Sequence, residues 1–468
     1  MEISVIGAGY VGLTTAACLA ELGHQVRCTD NDTEKLNMLR AGHMPFFEPH
    51  LDEIVKKNFA SGKLQYVSGE EAILRSQAIF ICVGTPPLAN GEADLSAIEA
   101  VARNIAHLAQ GYRLVIEKST VPVQTARRLK QHLGTYLSND LDYDVVSNPE
   151  FLREGSAIED FFHPDRIVVG ADSRRAIALM KEIYQPIAEK SFRCPVHPEC
   201  KHDATVSFLV TDTNSAELVK HASNSFLAMK ISFINMVSDL CEAAGADIEK
   251  VAEGIGLDRR IGPAFLQPGI GFGGFCFPKD LQAFVRIAET FGCDFALLKD
   301  VENINHARVE RFVAKVKKEL WILRGKTIAV WGLAFKPNTD DIRFAPSLEI
   351  IRSLIASGAR IRAYDPQAVE RAKKEIPEIV ACDSLYQAAE GAEAILLLTE
   401  WDEFLEADWA RLATLVERPL VFDGRNCLNP PDVTAKGFQY FGVGTAPLAP
   451  NMADSGELAT AASASAAD

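Results

Sequence analysis

The sequence predicts an α/β protein in which two doubly wound parallel-sheet domains are joined by a central helical domain with one long helix. Three observations predict this class. Strand, glycine turn, helix and strand follow one another in the first thirty residues. The segment 213–244 has apolar residues around much of its circumference, as a buried helix does. A second, degenerate strand–turn–helix pattern begins at Gly325, so both flanking domains are predicted to be Rossmann-like.

Four segments follow from these patterns. We expect a nucleotide-binding domain at residues 1–206 and a central helical domain at 207–305 that contains a glycine-rich loop with one cysteine. The long helix of the central domain is expected to be buried either in a core or against a partner chain. The second Rossmann-like domain is expected at 306–452. The tail at 453–468 consists of small and polar residues and is expected to be disordered.

Composition predicts a globular protein of the cytoplasm. The 468 residues are 48% apolar and 24% charged, and the net charge of −15 argues against nucleic acid as a partner. The ten cysteines lie mostly singly in apolar runs, which is typical of reduced thiols. The first strand begins at once, without a basic or apolar leader, and no apolar run approaches the roughly 18 residues of a membrane helix. We therefore expect no membrane partner.

The first motif predicts a dinucleotide site. Gly7, Gly9 and Gly12 occupy a G-x-G-x-x-G frame between a strand and a helix, and Asp30 ends the next strand. Backbone N–H groups at the helix N-terminus would receive a diphosphate, and Asp30 would accept hydrogen bonds from the adenosine ribose. An acid there repels a 2′-phosphate, so NAD is favoured over NADP. The alternative is a βαβ unit that binds nothing.

Further strand-like runs end in small or polar residues, at 78–87, 113–122, 143–152 and 166–172. Ligands bind at the carboxyl edge of a parallel sheet, so VGTPP and EKSTVP are predicted to line the cofactor crevice. Ordinary turn chemistry explains any single one of these residues equally well.

The stretch GIGFGGFCFPKD presents one thiol, Cys276, after four glycines. It is either a small buried apolar residue or a thiolate nucleophile. Lys220 and Asn224 share one face of the long helix and could hold an oxyanion, although both could also lie on its surface. With an NAD fold, this set suggests that a thiol traps an aldehyde, and that hydride loss then gives a thioester that water hydrolyses.

Taken together, several motifs resemble the UDP-glucose 6-dehydrogenases of the UDP-glucose/GDP-mannose dehydrogenase family over nearly the whole chain. They are GAGYVG, EKSTVPV, NPEFLREG, SAELVKHASNSFLAMKISFIN, GFGGFCFPKD and GLAFKPNTDDIRFAPS. The resemblance implies oxidation of UDP-glucose to UDP-glucuronate, with two NAD⁺ per turnover, by a homodimer or higher homo-oligomer.

The resemblance also implies residue roles. Cys276 would be the nucleophile, Lys220 and Asn224 would stabilise the oxyanion, and the remaining catalytic positions would be Asp280, Glu154, Thr120 and Glu150. The NAD contacts would be Gly7, Gly9, Tyr10, Val11, Gly12, Asp30, Lys35, Thr85, Thr120, Glu154, Lys279 and Arg343. The substrate contacts would be Glu150, Phe151, Leu152, Lys220, Asn224, Phe265, Phe272, Gly273, Phe335, Lys336 and Arg425, with Arg260 supplied by the neighbouring subunit.

Two features depart from the family pattern. Phe275 precedes the cysteine where a smaller residue is more usual. Between Ile187 and Leu209 an apparent insertion carries potential metal ligands in a C-x₂-H-x₂-C-x-H spacing, which are Cys194, His197, Cys200 and His202. That spacing fits no standard zinc finger, so an exposed hairpin without metal is the expectation and a zinc site is the alternative.

Three other functions stay open at this point. One is the same chemistry on GDP-mannose or an N-acetylated UDP-sugar. Another is a two-electron dehydrogenase of the 3-hydroxyacid or 6-phosphogluconate type, which needs no thiol. The third is a non-catalytic regulator that binds NAD.

Overall fold

The computed structural model describes residues 1–88, 90–136, 141–197, 200 and 206–450. These residues form two compact units. The first comprises Met1–Phe226 and Cys276–Lys299, and the second comprises Leu227–Phe275 and the chain from Asp300 onward. The tail predicted at 453–468 lies outside the described residues. In the described part of the chain, no helix is both long enough and apolar enough to cross a membrane.

The first unit is built on an eight-stranded sheet in the order β3-β2-β1-β4-β5-β6-β7-β8. Its strands are β1 Glu2–Ile6, β2 Gln25–Thr29, β3 Leu64–Tyr66, β4 Ala78–Ile81, β5 Gly111–Glu117, β6 Leu141–Ser147, β7 Arg166–Gly170 and β8 Ser207–Thr211. Neighbouring strands are parallel, except that β7 meets β6 in antiparallel fashion at Ser147 and Gly170.

Helices cover this sheet. They are α1 Tyr10–Glu21, α2 Thr33–Arg40, α3 Leu51–Ala60, α4 Gly69–Leu74, α5 Ser96–Leu108, α6 Thr125–Thr135, α7 Ala157–Phe162 and α8 Arg174–Ala188. All four residues of β4 are buried, because a parallel sheet is covered on both faces and needs a continuous apolar run rather than alternation.

Four helices follow in the chain. They are α9 Thr213–Ala244, α10 Ile248–Gly256, α11 Cys276–Thr290 and α12 Ala296–Leu320. The bounds of α9 are those that the sequence predicted for the long helix. The cysteine of the glycine-rich loop is the first residue of α11.

The second unit contains a parallel sheet of six strands in the order β11-β10-β9-β12-β13-β14. The strands are β9 Thr327–Trp331, β10 Arg360–Tyr364, β11 Val380–Ala381, β12 Ala394–Leu397, β13 Leu420–Asp423 and β14 Gln439–Phe441. Its helices are α13 Pro346–Ala356, α14 Val369–Glu375, α15 Leu385–Ala389, α16 Asp402–Leu405, α17 Trp409–Leu415 and α18 Pro430–Thr434.

The second unit repeats one structural device of the first. Asp30, after β2, accepts a hydrogen bond from the backbone N–H of Ala8 at 2.7 Å. Asp365, after β10, accepts in the same way from Leu333 at 2.7 Å and from Ala334 at 3.1 Å. In both units, the acid that follows one strand accepts hydrogen bonds from the turn that follows the neighbouring strand. The predicted α/β class with two Rossmann-like domains is confirmed.

Candidate active site

The glycine turn between β1 and α1 uses its three glycines differently. A Cβ on Gly7 would collide with the carbonyl oxygen of Cys82, and one on Gly12 would collide with the carbonyl oxygen of Gly7. Gly7 also has a φ of +104°, which side chains rarely adopt. A Cβ on Gly9, in contrast, would meet no protein atom within 4 Å. Gly7 and Gly12 are therefore required by the fold, whereas Gly9 leaves room for a ligand beside the N-terminus of α1.

Asp30 lies at the edge of this turn as a charged group. Its carboxylate accepts hydrogen bonds from the backbone of Ala8 and of Asp32, the latter at 2.9 Å, and from Lys35 Nζ at 3.1 Å. Burial would raise the pKa of Asp30, but these hydrogen bonds outweigh it and hold the pKa below its usual value. An ionised acid at this position suits ribose hydroxyls and disfavours a 2′-phosphate, so the turn fits NAD.

Glu48 is a buried acid that sequence reasoning missed. Its carboxylate accepts hydrogen bonds from the Tyr10 hydroxyl and from two backbone N–H groups, those of Gly155 at 2.6 Å and Ala157 at 2.7 Å. Glu48 thereby fastens the chain that follows Glu154 to the first turn of α1. A single glutamate in a loop gave no sequence signal, because its partners are 107 and 109 residues away.

The predicted crevice residues after β4 and β5 meet. Thr85 Oγ1 donates to the carbonyl oxygen of Thr120 at 2.8 Å. The ends of the two neighbouring strands are thus joined. That VGTPP and EKSTVP line the cofactor crevice stays a prediction. Val11, on the first turn of α1, is partly buried against the core of this unit.

Two buried polar pairs lie close to Cys276. Lys220 Nζ contacts Glu150 Oε1 at 2.8 Å, and each side chain is only 5% exposed. Asn224 Nδ2 donates to Asp280 Oδ2 at 2.6 Å. Helix α9 supplies Lys220 and Asn224 one turn apart, and α11 supplies the thiol and Asp280 one turn apart. This spacing is why two helices can bring both pairs to a single thiol.

The charges of the site act on one another. Burial, reinforced by the charge of Glu150, raises the pKa of the Cys276 thiol to about 12, although Lys220 opposes the rise. Burial alone would lower the pKa of Lys220, but the carboxylates of Glu150 and Asp280 raise it. Burial would raise the pKa of Asp280, but Lys279, 2.9 Å away, and Lys220 lower it. These interactions favour the protonated thiol of Cys276, the charged ammonium of Lys220 and the charged carboxylate of Asp280.

The two residues that follow Glu150 also make polar or cation–ring contacts around it. The backbone N–H of Leu152 donates to Glu150 Oε2 at 2.6 Å. The centre of the Phe151 ring lies 3.9 Å from the guanidinium carbon of Arg166 and 5.5 Å from Lys220 Nζ. The ring of Phe151 is thus packed against two cations.

The second unit holds the glycine-rich loop that precedes the cysteine. A Cβ on Gly273 would collide with the carbonyl oxygen of Phe344, and one on Gly274 would lie 2.7 Å from the Phe335 ring. Asn305 was not among the predicted site residues. Its side chain accepts a hydrogen bond from the Phe272 N–H at 2.8 Å and donates one to the Phe272 carbonyl oxygen at 2.9 Å. The loop is therefore fixed by close backbone packing within this unit.

Arg425 is placed beside the same loop. Its guanidinium donates to three carbonyl oxygens, those of Leu398 at 2.8 Å, Gly271 at 3.1 Å and Phe335 at 3.0 Å. Phe335 lies under Lys336 Nζ, 5.6 Å from it. Four of the predicted substrate contacts, Phe272, Gly273, Phe335 and Arg425, thus lie together in the second unit.

The remaining predicted residues of this unit have local partners. Arg343 forms an ion pair with Asp341, and its guanidinium carbon lies 4.4 Å from the centre of the Phe275 ring. The bulky Phe275 therefore has a packing role in this unit. Arg260 is 89% exposed and contacts Asp258 at 2.6 Å. Phe265 has a φ of +64°. Arg343, Arg260 and Phe265 lie in the same unit as the glycine-rich loop. Their roles in binding stay predictions.

Comparisons with known proteins match these features. Three sequence models of the UDP-glucose/GDP-mannose dehydrogenase family match the chain, for the NAD binding domain at 1–188, the central domain at 214–307 and the UDP binding domain at 329–430. The UDP-glucose 6-dehydrogenase YwqF of Bacillus subtilis is 44% identical over 97% of this chain and 100% of the relative. The UDP-glucose 6-dehydrogenase of Rhizobium meliloti is 43% identical over 95% and 99%.

Solved structures agree. A UDP-glucose dehydrogenase from Pyrobaculum islandicum has a TM-score of 0.85 at 37% identity and covers 95% of this chain and 98% of its own. A UDP-D-ManNAc dehydrogenase from Pyrococcus horikoshii has a TM-score of 0.79 at 28% identity, with coverage of 95% and 99%.

The glycine turn generates a first prediction. Gly9→Ala should fold normally, because its Cβ meets no protein atom within 4 Å, but it should bind NAD at least about tenfold more weakly, because the added methyl group would take space that the diphosphate needs. Gly12→Ala should lose about 1–3 kcal/mol of stability, because its Cβ has no room in the protein itself. Thermal unfolding and titration with NAD⁺ separate the two effects. Equal stability of the two variants, or unchanged NAD affinity of Gly9→Ala, would contradict this division of roles.

The charged site generates a second prediction. With a thiol pKa of about 12, the rate at which iodoacetamide alkylates Cys276 should rise about tenfold per pH unit between pH 7 and 9, as the thiolate fraction does. Glu150→Gln should raise the rate at any such pH, because Glu150 disfavours the thiolate. Peptide mass spectrometry measures the rate, with the exposed Cys293 as the internal reference. A rate that does not change with pH would contradict the assigned environment.

Proposed function

The chain belongs to the UDP-glucose/GDP-mannose dehydrogenase family, and from that premise we propose that it oxidises UDP-glucose to UDP-glucuronate with two NAD⁺ per turnover. The observation that carries the proposal is the thiol of Cys276 beside two buried polar pairs, in the same compact unit as the glycine turn. The relatives at 44% and 43% identity, both named UDP-glucose 6-dehydrogenase, support UDP-glucose as the substrate.

The chain's own residues account for the carbon chemistry. After the 6-hydroxyl has become an aldehyde, the Cys276 sulfur adds to the carbonyl carbon and the thiol proton ends on the carbonyl oxygen, which gives a thiohemiacetal. We assign the stabilisation of the developing oxyanion to Lys220 Nζ and Asn224 Nδ2, which donate hydrogen bonds to Glu150 and Asp280. Bound NAD⁺ supplies the hydride acceptor for each of the two oxidations.

Hydrolysis completes the reaction. Loss of the second hydride and of the hemiacetal proton leaves a thioester on Cys276. Asp280 is held as a carboxylate by Lys279 and Lys220, so it can orient water and take a proton from it. The carbon–sulfur bond then breaks and the sulfur regains a proton, which its raised pKa favours. One alcohol, two NAD⁺ and one water give one carboxylate, two NADH and three protons.

We also propose that two copies pair along α9. Phe233, Met236 and Leu240 lie on one stripe of this helix and are 50%, 46% and 68% exposed. Spacings of three and four residues put them on one face, and an identical helix is the simplest complement of such a stripe. The predicted role of Arg260 at a neighbouring subunit depends on this pairing.

The stoichiometry of NADH tests the main proposal. We expect two NADH per UDP-glucose consumed and no comparable turnover of GDP-mannose or N-acetylated UDP-sugars. Cys276→Ser should keep NAD affinity and lose steady-state turnover by at least about a thousandfold, because the covalent step is gone. One NADH per substrate, or near-normal turnover of Cys276→Ser, would instead identify a simple alcohol dehydrogenase.

Sedimentation tests the pairing along α9. The parent chain should sediment as a dimer or a multiple of it, and Phe233→Glu should dissociate it because a charge would be buried at the stripe. The matched control is Leu257→Glu, at an exposed apolar residue outside α9. A monomeric parent, or a variant that associates as the parent does, would contradict the pairing.

A further inference from the structure

Four metal-binding side chains converge in the first unit, and none of them is among the residues assigned to the dehydrogenase site. They are His163, Cys194, His197 and Cys200, whose ligand atoms all lie within 4.8 Å of one another. Three of them come from the segment CPVHPEC between α8 and β8. The fourth, His163, follows α7 directly. The sequence pattern named His202 as the fourth ligand, but His202 lies outside the described residues.

The distances suit a tetrahedral metal centre. His163 Nε2 lies 3.2 Å from Cys194 Sγ and 3.5 Å from Cys200 Sγ. With Zn–S bonds of about 2.3 Å and Zn–N bonds of about 2.0–2.1 Å, neighbouring ligand atoms of a tetrahedron are about 3.3–3.8 Å apart. The cluster as a whole, with its limit of 4.8 Å, needs a contraction of only about 1 Å to close around an ion.

The surroundings of the cluster fit ligation. The backbone N–H of His197 donates to Cys194 Sγ at 3.3 Å, a bond that stabilises a thiolate ligand. Glu159 Oε1 lies 4.0 Å from His197 Nε2, so coordination through Nδ1 would leave the other ring nitrogen facing a carboxylate. Phe192 stacks on the buried Phe162 at 5.2 Å, which anchors the segment next to His163.

The segment lies between two matched regions of the family. The NAD binding domain model ends at residue 188 and the central domain model begins at 214, so Cys194, His197 and Cys200 fall outside both. His163 lies inside the first. The cluster therefore combines one position of the matched domain with three of an unmatched segment, and the dehydrogenase chemistry uses none of them.

We propose that His163, Cys194, His197 and Cys200 bind one structural Zn²⁺. Two thiolates and two imidazoles are soft ligands that favour zinc over magnesium or calcium, and four protein ligands leave no position for a substrate. Binding displaces one proton from each of the two cysteines, and no oxidant or reductant is needed. The ion cross-links the segment after α8 to the end of α7, the helix whose first N–H is held by Glu48.

Metal analysis of the full-length chain tests this proposal. Protein purified with zinc and without chelator should contain about one zinc per chain, and Cys194→Ser and Cys200→Ser should each lose it. Cys293→Ser, at an exposed cysteine outside the cluster, is the matched control and should retain it. Removal of the metal from the parent should lower its unfolding temperature by about 5 °C or more, whereas the two metal-free variants should not respond to chelator.

Cobalt keeps the test decisive if a cysteine variant folds poorly. Co²⁺ added to the metal-free parent should give the intense visible bands of a tetrahedral site and a thiolate-to-cobalt charge-transfer band, and His163→Asn should weaken both. Three results would overturn the proposal. They are a parent chain that takes up no stoichiometric zinc or cobalt, zinc that stays in Cys194→Ser, and a Cys194–Cys200 disulfide in the freshly purified protein.

Discussion

The pairing of buried charges around Cys276 is the constraint on which the rest of the site depends. Lys220 is nearly inaccessible to water, so its buried ammonium depends on the carboxylates of Glu150, 2.8 Å away, and of Asp280. Removal of one partner would leave the other as an uncompensated buried charge, at a cost of about 3–5 kcal/mol. The ion pair joins α9 to the loop that follows β6. It also places Asn224, one turn further along α9, where it meets Asp280.

The glycines of the first turn and those of the loop before Cys276 have different structural roles. At the first turn, Gly7 and Gly12 allow backbone and helix to pack closely, and Gly9 leaves space that no protein atom fills. In the loop before Cys276, Gly273 and Gly274 allow the chain to lie against Phe344 and Phe335. The glycines of this second loop thus allow close contacts within its own unit.

Local sequence signals predicted the fold and part of the site. The strand–turn–helix patterns at both ends and the helix at 213–244 are periodic or carry glycine turns, and the structure confirms them. Lys220 with Asn224 and Cys276 with Asp280 were also visible, because each pair lies within one helical turn. Glu48, His163 and Asn305 were not visible. Their partners are distant in sequence, and single polar residues acquire meaning only when tertiary structure brings those partners close.

Covalent catalysis at Cys276 is tested most directly by trapping the acyl group on its sulfur. Asp280→Asn removes the carboxylate that is assigned to the hydrolytic water and keeps an oxygen facing Asn224. Mixed with NAD⁺ and UDP-glucose, this variant should release a burst of two NADH per site and then stall. Its peptide with Cys276 should carry the added mass of a UDP-glucuronyl thioester. A variant that stalls without any adduct on Cys276, or that turns over as fast as the parent, would contradict covalent catalysis at this residue.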